Sequence, residues 1–235
     1  MRNKGNILFK KKTNNGVLSV VDTVYDEEAV CFLMINDTLQ SGMFLDEEKK
    51  FDLVFPYMQR FSYAFQVNPT IKKVFMIGGG ALAYPKYFVT HYDGEITCSE
   101  INVDIISVAF SYFGVKEIEK EQLERMHIVN EDGMSFLRSH EEKYDLIIND
   151  AFVGKKEQLR DENSIEVVKE KLNENGIYIV NCSTALAGPF AKKGNAFRKL
   201  LQKHFQHVVM LVCEEDRNPL EVQNVLLIGS DTELL

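Results

Sequence analysis

The feature that most constrains this chain is a short apolar run, Val-Phe-Met-Ile at 74–77, that stops on three glycines, Gly78-Gly79-Gly80. A buried strand ending this way must turn sharply. Residues without a Cβ let the backbone make that turn and also approach a ligand closely. The pattern that follows sets the fold class. After Pro69, strand-like runs at 74–77, 95–99, 126–129, 146–148 and 177–180 alternate with helix-like runs at 83–90, 102–113, 134–140, 164–172 and 196–204. Such β-α alternation predicts a mostly parallel sheet with helices on both faces, a Rossmann-like α/β fold. Two further runs, 208–212 and 225–228, have no helix between them and predict an antiparallel hairpin at one edge of a seven-stranded sheet.

Before Pro69 the pattern differs. Runs at 6–9, 17–23 and 29–35 read as strands, separated by turn signals such as Asn14-Asn15-Gly16. Residues 46–65 read as helix, with Pro56 marking a late start or a kink, and Asn68-Pro69 ends the stretch. The expected organisation is a small β-rich unit over 1–50 and a Rossmann-like cofactor-binding domain over 51–235.

Bulk properties exclude several classes. The 235 residues are 45% hydrophobic, enough for one sizeable core. A net charge of −8 argues against nucleic acid as a partner and favours, weakly, a cationic small molecule. The N-terminal MRNKGNILFKKK lacks the apolar stretch of a signal peptide, and no apolar run is long enough to span a bilayer. Cys31, Cys98, Cys182 and Cys213 are widely spaced and read as free thiols of a reducing, cytoplasmic compartment. The five histidines form no ligand cluster, so no metal is expected. The aromatic series Phe51, Phe55, Phe61, Tyr63 and Phe65 reads as core or dimer surface rather than as a stacking platform.

Ligands of open α/β sheets bind beyond the carboxyl ends of the strands. Glu100 follows the second strand of the alternating region, 22 residues after Gly78, and an acid at that spacing can accept from ribose hydroxyls. Gly78, Gly80 and Ala83 also fit the dinucleotide pattern, which leaves a nicotinamide cofactor as a competitor. The third strand is followed by Asp132-Gly133 and the fourth by Asn149-Asp150. An acid after the third can accept from an adenine amino group, or cap the next helix, or both. An acid after the fourth can face a reacting centre. Together the three acids favour a mononucleoside cofactor over a dinucleotide.

The segments LMINDTLQSGMFLDEEKKFD, NPTIKKVFMIGGG, ITCSEIN, NEDGMSFL and YDLIINDAF, in this order, resemble the spermidine synthase family of aminopropyltransferases, which is built on the class I methyltransferase fold. The resemblance runs from about Leu33 to Val180. It implies that Gly78, Gly79 and Gly80 form the cofactor loop, that Glu100 holds the ribose and Asp132-Gly133 the adenine side, and that Gln40 lies near the cofactor. It implies that Asp150 helps deprotonate the attacking amine. The implied cofactor is S-adenosylmethionine or its decarboxylated form, leaving S-adenosylhomocysteine or methylthioadenosine, and relatives commonly form homodimers.

The substrate side departs from the pattern. Where the family usually reads GGGDG this chain has Ala81-Leu82, and where it reads DSSDP this chain has Asp150-Ala151-Phe152-Val153-Gly154. Two acids that face the amine are thus Ala81 and Val153. The Asp-Gly before the glutamine reads Asn36-Asp37 with Thr38, and the helical Tyr-His-Glu reads Lys50-Phe51-Asp52. A primary amine has a pKa near ~10.4 and must lose a proton before it attacks carbon. Each charged hydrogen bond to an ammonium is worth roughly 1.5–3 kcal/mol, so two missing acids weaken a diamine site considerably. The expectation is therefore transfer of an aminopropyl or alkyl group to an amine-like acceptor other than ordinary putrescine. The alternatives are an S-adenosylmethionine-dependent methyltransferase or a non-catalytic nucleoside-binding relative.

Overall fold

The computed structural model describes residues 5–151 and 161–235. At the N-terminus, Leu18 and Val20 of the second strand alternate with partly exposed neighbours, the period of a strand with one face on the core. The N-terminal strands are β1 (Asn6–Thr13), β2 (Gly16–Tyr25), β3 (Glu28–Ile35) and β4 (Thr38–Phe44), an antiparallel meander paired in chain order. β4 is absent from the sequence reading. The turn before it is Asn36-Asp37, with φ of 47° and 63°, and an earlier turn is Asp26-Glu27, with φ of 50° and 66°. Two positive φ values in a two-residue loop suit the twist of a hairpin, but neither turn carries the glycine that usually announces it. Asn36 compensates by accepting from the Val17 N–H at 2.8 Å through its side chain.

Of the two outcomes that Pro56 marks within 46–65, a late start or a kink, the structure takes the late start. Residues 46–55 make turns, and helix is confined to α1 (Pro56–Gln59), a 3-10 turn (Arg60–Ser62) and α2 (Tyr63–Val67). The cause is Pro56. Its ring pushes Phe55 into extended backbone, φ −90° and ψ 128°, so helix can begin only at the proline itself. The aromatic series does serve as core: Phe61 is fully buried, and Phe51, Phe55, Tyr63 and Phe65 pack against the same cluster.

The second sheet has seven strands, as expected. They are β5 (Lys73–Ile77), β6 (Glu95–Ser99), β7 (Met126–Val129), β8 (Tyr144–Asn149), β9 (Leu172–Thr184), β10 (His207–Val212) and β11 (Gln223–Ser230). Their spatial order is β10-β11-β9-β8-β5-β6-β7. β5 to β9 are parallel; β11 runs against β9 on one side and β10 on the other, which is the C-terminal hairpin. The covering helices are α3 (Ala83–His91), α4 (Val103–Tyr112), α5 (Lys120–Leu123), α6 (Gly133–Ser139), α7 (Glu162–Glu170) and α8 (Lys192–His204). The chain leaves β5 for β6 on one side and later adds β8 on the other. The crevice of the sheet therefore opens beyond the carboxyl end of β5, where strand order reverses.

Two apolar layers sandwich this sheet. One, around Met76, Ile148, Ile179 and Ile228, also takes in Leu18, Val20, Leu33 and Met43 of the small sheet, so both sheets share a core. The other, around Phe75, Ile147, Tyr178 and Leu227, is closed by α6, α7 and α8. One cation is buried inside the first layer: the Lys86 ammonium donates to the Phe113 carbonyl, and burial lowers its pKa to about 7. All four cysteines are buried. Among the described residues no helix is long and apolar enough to cross a membrane.

Candidate active site

The site is assembled from strand ends. After β5 the chain turns through Gly78, φ +88°, and Gly80, φ +50°. A Cβ on Gly78 would lie 2.9 Å from the Ala151 backbone, and one on Gly79 would lie 2.7 Å from Cys98 Sγ. Any side chain there would push the loop off its neighbours. The strand ends are also tied together: Gly78 N–H donates to Ser99 O at 2.9 Å, Glu100 N–H to Val129 O at 3.0 Å, and Asp150 N–H to Ile77 O at 2.9 Å.

Glu100, at the end of β6, turns its carboxylate back onto the glycine loop. Oε2 accepts from Gly79 N–H at 3.2 Å and Gly80 N–H at 3.1 Å, and Oε1 accepts from Asn102 N–H at 2.9 Å. Burial raises its pKa, and these backbone donors oppose the rise. The acid therefore fixes the shape of the loop while lying at its edge.

Asp132 caps α6. Its Oδ1 accepts from Ser135 N–H at 2.9 Å and from the Ser135 hydroxyl at 3.0 Å. Gly133 follows because a Cβ there would meet Ser99 Oγ at 2.6 Å. Of the two roles open for Asp132, the cap is the one the geometry displays.

Asp150 follows β8 and is held from both sides. Tyr57 of α1 donates its hydroxyl to Oδ2 at 3.1 Å, and Asn181 of β9 donates Nδ2–H to Oδ1 at 2.8 Å. The residue keeps some contact with solvent, yet dense surrounding protein pushes its pKa from 3.8 up to about 7, against the pull of the Asn181 and Tyr57 hydrogen bonds. A carboxyl that titrates near neutrality can hold or release a proton at low cost, which is what a general base requires. Tyr57 in turn is pushed well above its usual range, first by burial and then by the Asp150 charge, so it stays protonated and acts as a donor.

The small sheet supplies the remaining wall. In β4, Gln40 is the extra residue of a bulge: Leu33 pairs with Ser41 and Met34 with Leu39. The bulge presses β4 onto the loop, where a Cβ on Gly80 would sit 3.8 Å from Gln40 O and 3.5 Å from Ser41 Cβ. Next to it, Ala81 and Leu82 are buried in the core, and Leu82 holds the left-handed conformation at φ 59°, ψ 31°.

The structure thus brings Gln40, the glycine loop, Glu100, Asp132-Gly133 and Asp150 to one end of the two sheets. Two residues were not anticipated. Tyr57 gave no local signal, since it reaches Asp150 across 93 residues of chain; Asp52, the remnant of the family's Tyr-His-Glu stretch, faces His91 Nε2 at 3.6 Å. Asn181 carried a usable signal, a polar side chain directly after the buried apolar run 177–180 of β9. Val153, with Phe152 and Gly154, lies outside the described residues.

Residues 57–216 match the spermine/spermidine synthase domain family. The chain belongs to that family. It is 29% identical over 178 residues to a polyamine aminopropyltransferase from Buchnera aphidicola subsp. Acyrthosiphon pisum, a match covering 74% of this chain and 58% of that one. A polyamine aminopropyltransferase from Alkaliphilus metalliredigens is 31% identical over 142 residues, 59% of this chain and 50% of the relative. The chain therefore spans under two-thirds of the length of these curated relatives. Among solved structures, a probable spermidine synthase from Corynebacterium glutamicum superposes with a TM-score of 0.79 at 19% identity, covering 99% of this chain and 82% of that one. Human methyltransferase-like protein 13, in complex with SAH, superposes with a TM-score of 0.61 at 17% identity, covering 74% and 82%. At these identities the superpositions establish the fold: the α/β arrangement of spermidine synthases, shared with a methyltransferase.

Proposed function

We propose that this chain is a spermidine synthase-like transferase that binds S-adenosylmethionine or its decarboxylated form and passes an aminopropyl or alkyl group to an amine. The observation that carries the reading is Asp150. It is a carboxyl poised near pH 7, anchored by two side chains, and hydrogen-bonded through its backbone to the strand that leads into the glycine loop. In this reading the loop and Glu100 receive the nucleoside, with Gln40 close by, and Asp132 serves the adenine side while capping α6. Asp150 takes the proton of the attacking nitrogen as the new carbon–nitrogen bond forms and the carbon–sulfur bond breaks, leaving a neutral thioether. The family membership and the carboxylates at three successive strand ends favour this ligand over a nicotinamide dinucleotide.

The acceptor in this reading is not ordinary putrescine. Ala81 stands where the family places an acid, and it is buried among apolar neighbours, so that wall offers nothing to an ammonium. The same substitution supports a second reading, methyl transfer from intact S-adenosylmethionine, because it alters the end of the pocket that must tell an aminopropyl chain from a methionine chain. The reading also takes the protein to be a cytoplasmic homodimer, which sedimentation of the purified chain would check.

The test is calorimetry with S-adenosylmethionine, its decarboxylated form and methylthioadenosine, followed by transfer assays with putrescine and other amines. Binding of the decarboxylated form with transfer to an amine other than putrescine is expected. Binding of NAD with none of the three nucleosides bound at millimolar concentration would sink the reading. Nucleoside binding without any transfer would make the chain a non-catalytic relative.

A further inference from the structure

The two donors on Asp150 come from different parts of the molecule. Tyr57 is in α1, held by an edge contact between its ring and Phe61, with centroids 5.9 Å apart. Asn181 is in β9, the strand next to β8, and the parallel register that pairs Asn149 with Val180 sets Asn181 laterally beside Asp150. On its other side β9 pairs with β11, where Asn181 lies opposite Leu226. Asn181 is buried and flanked by strands on both sides, so it cannot follow a moving helix or loop. The Asn149 side chain is bound elsewhere, donating to the Tyr178 hydroxyl at 3.1 Å, which leaves Asn181 as the sheet's own contact to the carboxylate among the described residues.

From this geometry we infer that Asn181 is the positioning residue of the base: it anchors Asp150 through Oδ1 to the rigid sheet and leaves Oδ2, with Tyr57, as the side of the carboxylate that handles the proton. The inference deepens the transferase reading and rests on it for its catalytic consequence. The anchoring itself is a property of the protein without ligand.

The two oxygens then differ in kind. Oδ1 accepts from an amide donor that has no ionisation of its own, so that contact is the same at every working pH. Oδ2 accepts from a phenol that can rotate and share its hydrogen bond with an incoming amine. A hydrogen bond to the charged form of an acid favours that form. Burial already pushes Asp150 up to about 7, and the Asn181 contact, the larger of the two opposing effects, limits the rise. The charged groups facing Asp150 bear on the same balance. Tyr57 stays protonated, Cys98 is a buried thiol held well above its usual range, and Cys213, near Tyr57, is pushed up to about 11 by burial. None of them offers a countercharge that would replace the amide if it were removed.

The test reads the carboxyl directly. The full chain is labelled with carboxyl-13C aspartate, and the Asp150 resonance, assigned by its absence in Asp150→Asn, is titrated in wild type, Asn181→Leu and Asn181→Ser. Leucine keeps the volume without a donor. Serine keeps a donor but shortens it. The expected result is a midpoint about one pH unit or more above wild type in Asn181→Leu, a tenfold change in proton affinity, with Asn181→Ser between them. Coincident midpoints for wild type and either folded variant overturn the inference. Because this measurement needs no turnover, it stands even if the transferase reading fails. Where wild type does turn over, the loss of kcat in Asn181→Leu should be large at pH 7 and shrink towards pH 9, with the KM for the nucleoside unchanged. A loss of equal size at every pH means a merely structural role and overturns it.

Discussion

Two carboxylates that flank the end of β5, Glu100 after β6 and Asp150 after β8, behave differently, and the difference lies in who donates to them. Glu100 accepts from three backbone N–H groups, those of Gly79, Gly80 and Asn102, all fixed by the turn of the chain. Asp150 accepts from two side chains, Tyr57 and Asn181. Backbone donors cannot rotate away, so Glu100 behaves as a structural anion that shapes a binding loop. A hydroxyl donor such as Tyr57 can be shared with a substrate, and burial outweighs the two side-chain donors, leaving Asp150 titrating near neutrality. In the proposed function, binding and proton transfer would thereby fall to separate acids within one crevice.

If that division holds, the largest effect belongs to Asp150→Asn. It should lower turnover by ~10²–10⁴-fold, the range of a lost general base, while nucleoside affinity measured by calorimetry stays near wild type. Equal activity in the variant would remove Asp150 from the role of base. The complementary change, Glu100→Ala, should weaken nucleoside binding by about 100-fold or more, from the loss of an acceptor for charged hydrogen bonds and of the loop's support. An unchanged dissociation constant would take Glu100 out of the ribose site. A smaller effect is expected of Tyr57→Phe. With one donor gone, the acidic limb of the pH–rate profile should move up by roughly one unit, leaving about a tenfold deficit at pH 7 that closes at higher pH.

The last prediction concerns stability alone. In the folded chain Asp150 keeps its proton up to about 7, whereas its ordinary value is 3.8. Between those values the folded state binds more protons than the unfolded, so stability contributed at low pH is lost as pH rises through this window. Asparagine carries no such charge. Thermal melts should therefore show Asp150→Asn gaining on wild type from pH 4 to pH 8, and a difference that does not change with pH would contradict the raised pKa. Glu100→Gln should show a weaker trend, because backbone donors offset its burial.

The Rossmann-like half was legible because its signals are local and redundant. Strands β5 to β8 are short, and a glycine or an acid follows close after each: Gly78, Glu100, Asp132 and Asp150. Residues 38–65 were not. The turn at Asn36-Asp37 depends on two positive φ values that no glycine marks, so β4 was missed, and Pro56 cut a helix that apolar periodicity alone would have extended. The site divides the same way. Glycines, Glu100, Asp132 and Asp150 are read from spacing, whereas Tyr57 and Asn181 reach Asp150 only through tertiary packing, across 93 and 31 residues of chain. Ala81 and Leu82 illustrate a third limit: the sequence shows which residues depart from a family pattern, but only the fold shows that both are buried and that Leu82 is held at positive φ by its surroundings.

The bulge at Gln40 has one more consequence. β4 meets the glycine loop across some forty residues of intervening chain, so the binding wall is made of contacts that are distant in sequence. Because β4 and the glycine loop belong to different sheets, these contacts exist only when the two sheets are docked. In the proposed function, the nucleoside pocket would be complete only once the meander is docked onto the parallel sheet. If the proposed nucleoside binding holds, a chain whose meander is undocked would lack that wall, and ligand affinity would report on the docking of the two sheets.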